Sequence, residues 1–106
     1  MAFKVVFIAH ASDAEPERDR SLIETSVYKL YTVVVKDQAQ AVAECKKLVK
    51  EESIHSVLLC PGFTDKNVAE ITETVGEDVG VAVARGNPPG RGVPADVRIR
   101  AYSSND

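Results

Sequence analysis

Residues 3–9 read Phe-Lys-Val-Val-Phe-Ile-Ala, and the fold turns on this stretch. Its apolar residues fall on both parities, with Phe3, Val5 and Phe7 on one and Val6 and Ile8 on the other. A strand with one wet face keeps one parity polar. A strand covered on both faces does not, so this pattern predicts a strand buried on both faces, as in a parallel α/β sheet.

Three further runs extend that reading. Lys29–Val35 (KLYTVVV) predicts a second strand, Ile54–Cys60 with Val57-Leu58-Leu59 a third, and Val79–Arg85 a fourth. In the last, Val79, Val81 and Val83 alternate with Gly80, Ala82 and Ala84, so close packing is expected on the small parity. Between the second and third runs, Asp37 begins a helix with Gln40 at capping-box spacing. Ala41, Val42, Cys45, Leu48 and Val49 form its apolar stripe, and Lys46, Lys47 and Lys50 favour its carboxyl end. After the third run, Pro61-Gly62 turns the chain into a second helix capped by Thr64 or Asp65. Val68, Ile71 and Val75 face inward there, and Gly76 closes it.

The remaining segments are less regular. Residues 11–20 are crowded with charge, and the Ser12/Glu15 spacing with Pro16 predicts a short helix running through Leu22 and Ile23, or else a long ordered loop. Residues 86–94 (GNPPGRGVP) exclude regular structure. Val97, Ile99 and Ala101 alternate with Arg98, Arg100 and Tyr102, which predicts a C-terminal edge strand or arm over 95–106.

The expected fold is therefore a single α/β domain over residues 1–106. It is a small open, mostly parallel sheet of about four strands plus the C-terminal strand or arm, flanked by helices. A ferredoxin-like α+β sheet is the alternative, with the helix from Asp37 as an extra element. Two helices do not cover two apolar sheet faces, and a chain of 106 residues has little surface to bury. A homodimer or higher homo-oligomer is expected. Residues 11–24 carry a net charge of −3 and residues 85–100 a net charge of +3, in keeping with association between copies.

Composition excludes several classes. Thirteen Lys and Arg against sixteen Asp and Glu leave a net charge of −3, the wrong sign for a general nucleic-acid binder. No apolar run is long enough to span a bilayer and no signal peptide is evident, so a cytoplasmic location without membrane association is expected. Cys45 and Cys60 make neither a disulfide framework nor a zinc site, and no metal site or cofactor is expected. GxGxxG, Walker A, GxSxG and HExxH motifs are all missing from the sequence.

Ligands of open parallel sheets bind beyond the carboxyl ends of the strands. There the sequence places His10 after the first strand, Cys60 after the third and Arg85 after the fourth. Cys60 is the expected nucleophile or acid–base group, beside a turn where Gly62 allows close approach to the backbone. His10 is expected to act as a general base or to polarise a carbonyl. Arg85 and Arg20 are expected to bind an anion, with Gly62, Phe63 and Thr64 supplying the start of the second helix. Cys45 and His55 are read as structural, and Tyr28 and Tyr31 as packing residues.

Arg20 to Thr25, Cys-Pro-Gly-Phe at 60–63, Val-Ala-Glu-Ile at 68–71 and Val-Ala-Val-Ala-Arg at 81–85 together resemble a family of small bacterial α/β proteins known only as a domain of unknown function. In that family one strand ends in C-G-G-F, and a later one in V-V-R-F followed by an H-P-G turn. The resemblance implies that Arg20, Thr25, Cys60, Gly62, Phe63 and Arg85 occupy characteristic positions. It also shows departures at Asp19, at Pro61 and at residues 86–90, and it implies no reaction. The residues themselves point to cofactor-independent proton-transfer chemistry (isomerase, cyclase, lyase or decarboxylase type) on a small anionic metabolite. The alternatives are a non-catalytic anion-binding or regulatory module, or a structural subunit of an oligomer.

Overall fold

The computed structural model describes residues 1–86 and 88–103. Along the chain these form β1 (Phe3–His10), β2 (Arg20–Glu24), β3 (Tyr28–Val35), α1 (Gln38–Glu52), β4 (Ser56–Leu59), α2 (Asp65–Val75), β5 (Gly80–Val83) and α3 (Ala95–Ser103). The five strands make one sheet in the order β2-β3-β1-β4-β5. β1 pairs in parallel with β3 on one side and β4 on the other, and β4 pairs in parallel with β5. Only β2 runs antiparallel, along the outer side of β3. The stretch that is apolar on both parities is thus the central strand, and the sheet is mostly parallel, unlike the antiparallel ferredoxin-like alternative.

Register divides the residues cleanly between two faces. Val6 and Ile8 stand beside Tyr31 and Val33 on one side and Val57 and Leu59 on the other, with Val81 and Val83 beyond. Ala41, Cys45 and Leu48 of α1, and Ile71 and Val75 of α2, join these residues in one buried cluster. Both helices therefore cover the same face. Right-handed crossovers require this: β3–α1–β4 and β4–α2–β5 advance across the sheet in the same direction. The opposite face carries Val5 and Phe7 beside Leu30, Thr32 and Leu58, and neither helix lies on it.

α1 follows its sequence signals closely. The Asp37 side chain accepts from the Gln40 N–H at 2.9 Å, while Gln40 Oε1 accepts from the Lys36 N–H at 2.7 Å, one residue earlier than a reciprocal box. Ser53 ends the helix in the left-handed region at φ 56°. Tyr31 is a packing residue, as expected, and its hydroxyl donates to Glu52 of α1 at 2.7 Å.

Two segments differ from expectation. Residues 11–19 form successive turns and no helix. Asp19 Oδ2 accepts the Glu15 N–H at 2.8 Å, and the Asp19 N–H closes a single helical turn on the Glu15 carbonyl at 2.7 Å. The chain then enters β2. Ala14 is buried here, but nothing apolar follows it at helical spacing before Leu22 and Ile23. Pairing along β3 satisfies a whole strand edge, which one more helical turn does not.

The expected C-terminal strand is the helix α3. Asp96 and Arg100 pair at i,i+4 with 3.3 Å between charges, and the Val97 N–H bonds the Pro94 carbonyl at 3.1 Å. Alternation along 97–102 has no sheet neighbour to reward it. Pro94 and Asp96, which suit a helix start, decide instead.

Candidate functional site

The order of the parallel strands, β3-β1-β4-β5, reverses direction at β1. At such a reversal the connections diverge and leave a crevice at the carboxyl ends. There β1 ends in His10, and β4 runs into the turn Cys60-Pro61-Gly62-Phe63, closed by the Phe63 N–H on the Cys60 carbonyl at 3.3 Å. Phe63 is buried in the core. The His10 imidazole stacks on its ring, with centroids 3.9 Å apart and planes inclined by 25°. Burial holds the His10 pKa below its ordinary 6.5, against an opposing pull from the Asp37 carboxylate. The ring is therefore biased toward the neutral form, which accepts a proton.

Gly62 stands between the His10 and Cys60 side chains. A Cβ added there would lie 3.5 Å from His10 Nδ1 and 3.6 Å from Cys60 Sγ. Both atoms thus flank the same small space. The glycine does not have a positive φ, because Gly76 is the positive-φ glycine among the described residues. What Gly62 provides is thus space and not a special backbone conformation. Cys60 is half-buried against the core, and its backbone N–H bonds the Ile8 carbonyl at 3.0 Å.

Two clefts open at this edge. The first, ≈ 400 Å³, is lined by His10, Ser12, Lys36, Gly62, Arg98 and Tyr102. The second, ≈ 480 Å³, lies across the Pro61-Gly62 turn and is lined by Pro61, Arg85, Gly86, Arg91, Val93 and Arg98. Arg98 borders both. Among the described residues Lys36, Arg91 and Arg98 form no ion pair. Arg85 meets Asp65 only at 3.6 Å, with both side chains largely exposed, a contact of little strength.

The structure thus gathers His10, Gly62 and Phe63, sets Cys60 beside them, and puts Arg85 in the adjoining cleft. Arg20 lies elsewhere. It sits on β2 with Nη1 3.1 Å from Glu44 Oε1, and Glu44 is buried on α1. Thr64 is the cap of α2, its hydroxyl accepting the Asn67 N–H at 3.1 Å, and neither Thr64 nor Asp65 lines either of these two clefts. His55 accepts the Lys4 N–H at 3.0 Å through Nδ1, a structural role at the opposite edge. Cys45 is fully buried, and desolvation pushes its thiol up to about 12.

The reading from sequence missed Ser12, Lys36, Arg91, Arg98 and Tyr102. For the last two a signal existed: four residues apart, they share a face once α3 is read as a helix. Among the described residues no group of three or more His, Cys, Asp or Glu is placed to hold a metal ion, and no helix is long and apolar enough to cross a membrane.

Fold and site define a mostly parallel α/β domain, helical on one face, with a cation-lined crevice where its strand order reverses. The chain belongs to a family of unknown function, DUF6506, which matches residues 3–93. That span includes His10, Cys60, Gly62 and Arg85 and stops short of α3. No curated protein and no solved structure matches the chain.

Proposed function

We propose that the chain binds a small anionic metabolite at the reversal point of the sheet and moves a proton on it without a cofactor, with His10 as the base. The observation that carries this reading is a neutral-biased imidazole, stacked on Phe63, in the wall of a cleft that also presents Lys36 and Arg98. These cations would hold a carboxylate and the enolate oxygen that develops when a neighbouring C–H bond breaks. The proton passes to a ring nitrogen of His10, and the C–H electron pair moves into the enolate. Return of the proton to another carbon gives an isomerisation, and departure of a group β to the carbanion gives an elimination. Cys60, on the other side of Gly62, serves as the second acid in this reading. Because Arg98 borders both clefts, a ligand with two anionic groups, such as a dicarboxylate, suits the pair best.

Incubation of the protein in D₂O with a panel of small 2-oxo acids and dicarboxylates tests this, with deuterium incorporation followed by proton NMR. Exchange is expected with at least one compound, falling by about 10²-fold or more in His10→Asn, with binding weakened in Arg98→Met. A second reading, anion binding without turnover, draws on one observation: the His10 ring makes no hydrogen bond among the described residues, whereas a catalytic base is usually oriented by a third group. Binding without exchange would favour that reading. No binding by any member of the panel would overturn both.

A further inference from the structure

The sheet face away from α1 and α2 is apolar, with Val5 buried at its centre among its strand neighbours and Phe7, Leu30 and Leu58 half-buried. By register it carries Phe3 and Phe7 of β1, Ile23 of β2, Tyr28 and Leu30 of β3, and Leu58 of β4. The positions between them are Val, Ala, Thr, Ser or Gly, and none is charged. The charged strand residues Lys4, Arg20, Glu24 and Lys29 all have the other parity, where Lys4 Nζ reaches the carbonyl of Glu52 on α1 and Arg20 pairs with Glu44. Phe3, Ile23 and Tyr28 are 49%, 62% and 39% exposed. The small residues Gly80 and Ala82 of β5 fall on the same face and are exposed. A contiguous apolar surface of this size marks an interaction site.

We infer that a second copy of this chain covers this face, packing sheet against sheet. Five strands at about 4.8 Å spacing, with a mean length near 19 Å, give a face of roughly 450 Å² in plan and about 700 Å² with side-chain relief. That approaches the ~800 Å² each partner contributes to a standard stable interface. A second copy brings the same uncharged area, so no charge loses water without a partner, and twisted sheets pack in this manner about 10 Å apart.

Charge at the rim fits the same occupant. The acidic segment 11–24 lies at the β2/β3 edge and the basic segment 85–100 follows β5, both toward the carboxyl ends of the parallel strands. A twofold axis along the strands sets β2 of one copy over β5 of the other. The net −3 segment of each then faces the net +3 segment of its partner.

Sedimentation equilibrium of the full chain at about 1–100 µM tests the inference. The expected mass is twice the 11.5 kDa of the chain. Ile23→Lys sits on an exposed edge strand where folding tolerates it, and a twofold interface meets each introduced charge twice. The dissociation constant should rise by about 10²-fold or more, with an unchanged circular dichroism spectrum. Phe7→Lys should act in the same way. If Phe7→Lys unfolds the chain, Ile23→Lys with Phe3→Lys provides the same reading from exposed positions. A monomeric wild type would overturn the inference, as would a dimer that persists in the folded Lys variants, since that places the contact elsewhere. A monomer that co-floats with neutral phosphatidylcholine vesicles would assign the face to lipid, and would equally overturn it.

Discussion

Replacement of Gly62 by Ala separates the role of this residue in the site from any role in the fold. The new methyl would stand 3.5 Å from His10 Nδ1 and 3.6 Å from Cys60 Sγ, both ordinary van der Waals contacts. Gly62 does not have a positive φ, so alanine meets no backbone strain. The substitution should leave stability unchanged or raise it by about 0.4–1 kcal/mol, through the lower entropy of the unfolded chain. With m about 1.5 kcal/mol/M, the urea midpoint should rise by about 0.7 M at most. Binding should behave oppositely, because the methyl fills the space between His10 and Cys60 where the proposed ligand would enter. A loss of at least tenfold in affinity, about 1.4 kcal/mol, is expected for the best-bound dicarboxylate in titration calorimetry. The methyl also sheds water from the imidazole, so the His10 titration should move further below 6.5. Unchanged affinity together with an unchanged His10 titration would refute the claim that the site is built around this glycine. A drop in stability of more than about 1 kcal/mol would refute the geometric argument itself.

Burial holds the folded-state pKa of His10 below its unfolded value, so the unfolded chain binds the extra proton first. Its contribution to stability is complete above 6.5 and is lost as the pH falls toward the folded value. The acid limb of any His10-dependent exchange should lie below pH 6.5, and a limb at or above 6.5 would count against burial as the cause. Arg20→Met leaves the buried Glu44 carboxylate without its partner, and should cost about 1–3 kcal/mol in urea melts while anion affinity stays the same. A fall in affinity would return Arg20 to the site. Cys45 is fully buried, with its thiol pushed up to about 12, so a colorimetric thiol reagent should titrate one group in the native protein and two in denaturant. Two native groups would show that α1 opens. The Asp19 carboxylate is held down to about 2 by its hydrogen bond from Arg18 and then by the Glu15 N–H. Its support for the 11–19 turns is therefore full above about 4 and is lost as the pH falls toward 2, an effect that Arg18→Met should reduce in acid melts, leaving the part that the Glu15 N–H supplies.

The central strand, the three parallel strands beside it and both covering helices were legible because each has a local signature. Residues 3–9 are apolar on both parities, α1 has Asp37, Gln40 and a stripe of period 3.6, and α2 has Thr64 and Gly76. β2 was not legible: Ser21-Leu22-Ile23 is short, and only its pairing with β3 makes it a strand. α3 was misread because period-two alternation and the i,i+4 pairs Asp96–Arg100 and Arg98/Tyr102 coexist in one short stretch. That misreading concealed Arg98 and Tyr102 in the cleft lining. His10, Gly62 and Phe63 could be placed together because parallel pairing brings strand ends to one edge. Arg20 could not be placed correctly, because whether it points to the ligand edge or back onto Glu44 depends on the unforeseen path of residues 11–19.

That path links the two proposals. In a sheet wound on both faces, the connection from β1 to the strand beside it is a helix that covers one face and brings its amino-terminal dipole to the ligand edge. Here the chain leaves His10 through turns, runs down β2 and returns along β3, so neither service is performed. The uncovered face keeps Phe3, Phe7, Leu30 and Leu58 without a cover from their own chain, and a second sheet is the surface that best matches them. The ligand edge, lacking a helix dipole after β1, presents cationic side chains instead, Lys36 after β3 and Arg98 from α3. If that substitution is the logic of the site, affinity for an anion should depend on those two charges and not on the start of α2. Lys36→Met and Arg98→Met should each weaken dicarboxylate binding by about tenfold or more, and together by more than either alone. Asp65→Asn, which alters charge only at the α2 terminus, should leave it within twofold. A strong response to Asp65→Asn, with little from the two cations, would move the anion back to the helix terminus and break the link between the missing crossover and the chemistry of the edge.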